Sequence, residues 1–118
     1  MLSKANRLDI KKYFSQIRGN GKKLTGIDFA IYYRLGPNQT KPGISTVISK
    51  KVTKSAVKRN RMRRLIHTAM THMLHSLSPN FQCIFFVYHD FSLKKSQDLT
   101  DELINIFTKA NLLNQSQS

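Results

Sequence analysis

Acidic residues are scarce. Six Asp and Glu stand against 20 Lys and Arg in 118 residues, for a formal net charge of +14. Four of the six (Asp90, Asp98, Asp101, Glu102) lie beyond residue 89, so the paired carboxylates of an acid–base hydrolase are missing from most of the chain. Cysteine is nearly absent too. The single Cys83 excludes an internal disulfide framework and a zinc site of several thiolates, and it fits a reducing, cytoplasmic setting. Cys83 lies within an apolar run, where it reads as a small buried hydrophobe and not as a nucleophile. No run approaches the ~18 apolar residues of a membrane-spanning helix, and the first ten residues lack the apolar stretch of a signal peptide. Gly19-Asn20-Gly21-Lys22 has neither the preceding strand nor the spacing of a phosphate-binding loop. His72 and His75 stand three apart on a predicted helix with no third ligand in view. Catalytic residues, a metal site, a small-molecule cofactor and a membrane partner are therefore all predicted to be absent from the protein itself.

What remains is a chain with 40% hydrophobic residues, enough for one core and one domain over residues 1–118, with a polar tail from about 114. Its charge is unevenly spread. Residues 1–89 carry 17 basic and two acidic side chains, a balance of +15, whereas residues 90–118 come to −1. Self-repulsion of that size costs stability and points to a polyanionic partner, nucleic acid before an acidic membrane. Residues 50–64 hold eight cations and no acid: Lys50, Lys51, Lys54, Lys58, Arg59, Arg61, Arg63 and Arg64. Such a block is commonly a solvated segment, but this one runs directly into an apolar helical pattern.

Periodicity predicts the elements. Ile10, Tyr13, Phe14 and Ile17 share one helix face over residues 9–18, with Asp9 as a cap and Gly19 and Gly21 as the stop. Residues 28–35 alternate as a strand, Phe29, Ile31, Tyr33 and Leu35 opposing Ala30, Tyr32 and Arg34. A short strand at 23–25, a strand at 44–49 and a turn-rich connection between 36 and 43 complete this region. Ser55 caps a predicted helix over 56–77, whose stripe of Met62, Leu65, Ile66, Ala69 and Met73 faces the core. Residues 81–88 are almost continuously apolar, as in a strand buried on both faces. Ser96 is the expected cap of a last helix with a stripe of Leu99, Leu103, Ile106, Phe107 and Ala110. The order predicts an α/β (α+β) two-layer sandwich.

Two surfaces suit a nucleic acid. Arg grips phosphate with a planar fork, and Lys58-Arg59-Asn60-Arg61 in a first helical turn adds backbone N–H donors. Asn60 either bonds the phosphate or sugar, or ties down the preceding loop. Tyr13, Phe14 and Tyr32, the last sharing its strand face with Arg34, are either core packing or a stacking surface for single-stranded nucleic acid. A protein of another ribonucleoprotein, a DNA-binding helix protein and a stand-alone nuclease are the rival classes. The missing helix-turn-helix spacing and the missing carboxylate cluster count against the last two.

The run Ile48-Ser49-Lys50-Lys51, a short loop, then Lys58-Arg59-Asn60-Arg61-Met62-Arg63-Arg64-Leu65 resembles the signature of the protein subunit of bacterial ribonuclease P. Arg7-Leu8, a helix bearing Phe14, Gly21, and Phe29 three before Tyr32 extend the likeness along nearly the whole chain. Arg18 stands where relatives usually carry a second aromatic residue. The resemblance implies an αβββαβα fold with a left-handed crossover carrying the basic helix. It implies a protein that binds a large catalytic RNA, with Mg2+ at the RNA active site, and promotes removal of the 5′ leader from precursor tRNA. By that likeness Lys50, Lys51, Lys54, Lys58, Arg59, Asn60, Arg61, Arg63 and Arg64 face the catalytic RNA. Phe14, Tyr32, Tyr13, Arg18 and Arg34 face the leader.

Overall fold

The computed structural model describes the backbone of residues 10–36 and 42–113, and side chains from Phe14 onward apart from Asn20. The expected Asp9 cap, the Ile10 and Tyr13 side chains, and residues 114–118 lie outside the described residues.

Helix α1 spans Ile10–Asn20, and strands β1, β2 and β3 span Lys22–Thr25, Phe29–Leu35 and Gly43–Val47. Helix α2 runs over Ala56–Thr71, a 3-10 turn over Leu74–Ser76, strand β4 over Phe81–Val87 and helix α3 over Ser96–Lys109. The four strands form one sheet in the order β1-β2-β4-β3, in which β2 pairs antiparallel with both β1 and β4. β3 lies parallel to β4, so the connection through α2 is a crossover.

Alternation sorts the side chains. Phe29, Ile31, Ile44, Phe81, Cys83 and Phe85 point to one face, where Met62, Ile66 and Met70 of α2 and Leu99, Leu103 and Phe107 of α3 close the core. α2 and α3 also pack on each other. On the reverse face α1 crosses β2 and β4, burying Ile17 together with Ala30 and Ile84. That second cover is why β4 is apolar at every position but one. The polar residue of the strand, Gln82, is buried and accepts a hydrogen bond from Arg34 Nε at 2.7 Å, as a buried amide requires.

Gly21 ends α1 for a steric reason. Its N–H donates to the Ile17 carbonyl at 2.9 Å, and a Cβ at this position would collide with the Ile17 and Tyr33 carbonyl oxygens.

Among the boundaries that differ from the sequence-based expectation, α1 runs through Gly19 to Asn20, β4 ends at Val87, and three others are instructive. α2 ends at Thr71 and not at 77, where the Thr71 hydroxyl donates to the His67 carbonyl at 2.7 Å and the chain tightens into the 3-10 turn. A hydroxyl competing for a helical carbonyl favours bending or termination. β3 stops at Val47, with Ile48 still buried beyond it. Ser96 is the first residue of α3 and not its cap. Lys95 holds the cap position without a side-chain bond, while the Ser96 carbonyl accepts from the Thr100 hydroxyl at 2.9 Å.

Candidate nucleic-acid interface

Ser55 caps α2 as its position suggested. Its hydroxyl accepts the Lys58 N–H at 3.2 Å and its carbonyl accepts the Arg59 N–H at 3.1 Å. The approach to the helix is held by its own hydroxyls, for Ser49 Oγ accepts the Lys51 N–H and Thr53 Oγ1 accepts the Ser55 N–H, both at 3.3 Å. The basic block is thus a folded surface and not a loose coil. Lys50, Lys51, Lys54, Lys58, Asn60, Arg61 and Arg64 are exposed, and Arg59 and Arg63 are half-buried.

The arginines are oriented. Arg59 Nη1 donates to the Thr53 carbonyl at 2.8 Å, locking the loop to the helix. Arg61 Nε donates to the carbonyl of Ser92 in the loop between β4 and α3. Arg63 Nη1 donates to Asn60 Oδ1 at 3.2 Å, so Asn60 serves a neighbouring cation and Arg59 fastens the loop. Among the described residues, no ion pair joins any of the eight cations to an acid. The first turn of α2 also lacks an acidic residue. Cations there sit at the positive end of the helix dipole, a local repulsion that a bound anion relieves.

A second cluster lies on the α1 face of the sheet. The Phe86 ring meets Phe14 edge-on at 5.9 Å between centroids and Tyr32 edge-on at 5.4 Å. Above them the Arg18 guanidinium sits 5.0 Å from the Tyr32 centroid and 5.4 Å from that of Phe86, and Lys23 Nζ lies 5.8 Å from Tyr32. Phe14 keeps 36% of its surface exposed. Three aromatic rings with two cations above them suit stacked bases and a passing phosphate chain. Arg34 is placed differently. Its Nε bonds Gln82 and its Nη2 bonds Gln16 at 2.8 Å, so it fastens α1 to the sheet beside this cluster.

Phe86 and Lys23 were missing from the sequence reading. The signal lies in the strand register: Phe86 faces Ala30 across the antiparallel pair, and Ala30 shares its side of β2 with Tyr32. Phe86 also faces Val47, the last residue of β3. The chain leaving β3 for the basic loop therefore departs from the end of the sheet where the aromatic cluster lies.

The acids have other work. Lys94, mostly buried, pairs with Glu102 at 2.8 Å and Asp28 at 3.4 Å. Burial alone would lower its ammonium, but the bond to Glu102 and the charges of Glu102 and Asp28 prevail and hold it above its ordinary value. Glu102 also accepts the Ile27 N–H at 3.0 Å, fastening the β1–β2 turn to α3. Burial pushes the Cys83 thiol far up, so it is not a thiolate at neutral pH. His72 and His75 do not share a helix, since His72 is the C-cap of α2 and His75 lies in the 3-10 turn. Among the described residues, no three His, Cys, Asp or Glu side chains converge as a metal site. No described helix is long and apolar enough to cross a membrane.

Known proteins carry the same fold. The chain superimposes on the ribonuclease P protein of Thermotoga maritima with a TM-score of 0.74 at 18% identity, covering 87% of this chain and 96% of that one. For the ribonuclease P protein of Staphylococcus aureus the TM-score is 0.73 at 22% identity, with 94% and 100% covered. In sequence it is 33% identical over 113 residues to the ribonuclease P protein component of a Pseudanabaena strain, covering 96% of this chain and 97% of that protein. The family model described as Ribonuclease P matches residues 2–111. With a mixed sheet, a crossover bearing an N-capped basic helix, and a match along almost its whole length, this chain belongs to the ribonuclease P protein family.

Proposed function

We propose that the chain works as the protein component of a ribonuclease P. In this reading it binds the catalytic RNA through the start of α2 and the 5′ leader of precursor tRNA on the Phe14–Tyr32–Phe86 cluster. The relatives are named as ribonuclease P protein components, and one observation carries the division of surfaces. The helix cap at Ser55 and the Thr53 and Ser92 carbonyls that hold Arg59 and Arg61 give the cations of residues 50–64 a fixed frame, and among the described residues none of them pairs with an acid.

Each phosphate that such a patch neutralises releases counterions, and two RNA strands that repel each other can then approach on one body. The aromatic cluster supplies stacking for unpaired leader bases, and Arg18 and Lys23 meet the leader backbone. Hydrolysis of the phosphodiester, and the Mg2+ that activates its water, belong to the RNA subunit in this scheme. The protein's share is to hold and orient both RNAs. Arg59 and Arg61 do so with side chains already fixed before RNA arrives, which lowers the entropy cost of docking.

The test is reconstitution of the protein with a bacterial ribonuclease P RNA and precursor tRNA at low magnesium. Leader removal should be faster than with RNA alone, and no stimulation would overturn the proposal. Arg61→Ala should chiefly weaken binding of the catalytic RNA and lower the salt slope by ~0.7–0.9. Tyr32→Ala should chiefly weaken leader-bearing substrate against mature tRNA. Equal losses of both variants on both ligands would refute the separation of surfaces.

A further inference from the structure

Asp90 is an exposed acid beside the most basic part of the molecule. In a protein that binds a polyanion, a carboxylate there should only repel the ligand, so its presence needs another reason. The hydrogen bonds supply one. Asp90 Oδ1 accepts the Ser92 N–H at 2.8 Å, closing a tight turn around Phe91. The Ser92 hydroxyl and backbone N–H both favour the ionised carboxylate, and with the charge of Lys58 they hold the Asp90 carboxyl below its usual range.

The turn itself is pinned to α2. Phe91 is buried against Phe29, and its N–H donates to Met62 Sδ at 3.4 Å. Met62 is the residue after Arg61. Ser92, only 3% exposed, directs its carbonyl at Arg61 Nε. Two short bridges thus connect the acid to the cation: Asp90 shapes the turn, and the turn's carbonyl fixes the guanidinium plane. A bond at Nε takes one donor and leaves the remaining N–H groups of the fork for an anion.

We infer that Asp90 is a positioning residue for RNA docking, holding the Ser92 carbonyl so that Arg61 presents its fork to phosphate in one fixed orientation. This rests on the reading that the start of α2 meets the catalytic RNA. The inference makes the sign of a mutation unusual. Removing an acid from beside a polyanion site should strengthen binding, yet Asp90→Ala should weaken it, because the Arg61 side chain must then be ordered during docking.

Asp90→Ala and Asp90→Asn change the net charge equally, but only Asn keeps an oxygen to accept the Ser92 N–H. Binding of a bacterial ribonuclease P RNA transcript is measured for both, alone and combined with Arg61→Ala. Asp90→Ala should bind about three- to tenfold more weakly than the parent, the scale of ordering one long side chain. Asp90→Asn should bind as tightly as the parent or more so. In the Arg61→Ala background, Asp90→Ala should no longer weaken binding.

A spectroscopic readout needs no RNA. The Arg61 Nε–H signal in 15N-resolved spectra should be protected from exchange in the parent and in Asp90→Asn, and lose that protection in Asp90→Ala. The positioning role is overturned if Asp90→Ala binds as tightly as Asp90→Asn. It is overturned equally if its loss persists without Arg61, or if the Nε–H signal does not change. Failure of the underlying reading looks different, since the parent would then bind the transcript no better than Arg61→Ala.

Discussion

Phe86→Leu is the sharpest test of the aromatic cluster. Leucine keeps an apolar side chain under α1 but removes the ring that joins Phe14, Tyr32 and Arg18. Two edge-to-face pairs, at 5.9 Å and 5.4 Å, and one cation–π contact at 5.4 Å are lost together. Each aromatic pair is worth about 0.5–1.5 kcal/mol beyond its buried area, and a cation–π contact at a wet site about 0.5–1 kcal/mol. Simple addition overstates the loss, because the three contacts share one ring and Arg18 keeps Tyr32. A net destabilisation of about 1–2 kcal/mol is therefore expected, read as a lower urea midpoint at unchanged slope. The functional consequence is of the same order as the stability change. Without the central ring, neither Tyr32 nor Arg18 has a fixed tilt, and preference for precursor over mature tRNA should fall by about an order of magnitude, the scale of one stacked base. Binding of the catalytic RNA should be unaffected. Full leader discrimination at full stability in Phe86→Leu would refute a shared platform and leave Phe14 and Tyr32 as separate packing residues.

Ser55→Ala should cost about 1 kcal/mol of stability by equilibrium unfolding, the usual value of a lost N-cap. Ser55→Asp should exceed the parent in stability through its charge at the helix start yet bind RNA more weakly; a Ser55→Asp protein less stable than Ser55→Ala would refute this account. Cys83 should resist a thiol reagent in the native protein and react only on unfolding, as a buried thiol with a strongly raised pKa must; rapid labelling of folded protein would contradict its placement. Asp90, with its folded pKa lowered, contributes stability that is present above the unfolded value near ~3.9 and lost as pH falls through the folded value. Asp90→Asn should therefore flatten the acid limb of the stability profile below about pH 4, and an unchanged limb would show that the turn does not sense its charge.

The elements with one buried stripe were legible in the sequence. Met62, Leu65, Ile66, Ala69 and Met73 are all buried as their spacing implied, and the alternation in β2 assigned its two faces correctly. The same apolar pattern concealed the end of α2. Met73 and Leu77 stay buried after the helix has become a 3-10 turn, so periodicity continued where the hydrogen bonding had changed. Ser96 misled for a related reason, because a hydroxyl near a helix start reads as a cap wherever the backbone turns. In the site, the number of cations was plain and their partners were not. Arg61 bonds a carbonyl 31 residues away, a contact that exists only after the β4–α3 loop has folded over α2. Phe86 was hidden in an apolar strand, since choosing between it and Phe85 requires the register with β2.

The placement of acid follows one rule across both halves of the molecule. Asp28 and Glu102 surround Lys94, where a mostly buried cation needs them, and Asp90 is turned onto Ser92, where it shapes a carbonyl and not an ion pair. None of these acids neutralises residues 50–64 by direct pairing. A surface ion pair would have contributed little stability and would have had to be broken before phosphate could bind. Neutral acceptors orient an arginine without consuming its charge: the Thr53 carbonyl for Arg59, the Ser92 carbonyl for Arg61 and the Asn60 amide for Arg63. Orientation by carbonyls and amides leaves the full positive potential of the patch available to a polyanion, as the proposed RNA docking requires. Replacing Asn60 by Asp should therefore strengthen the internal bond to Arg63 and weaken RNA binding at the same time.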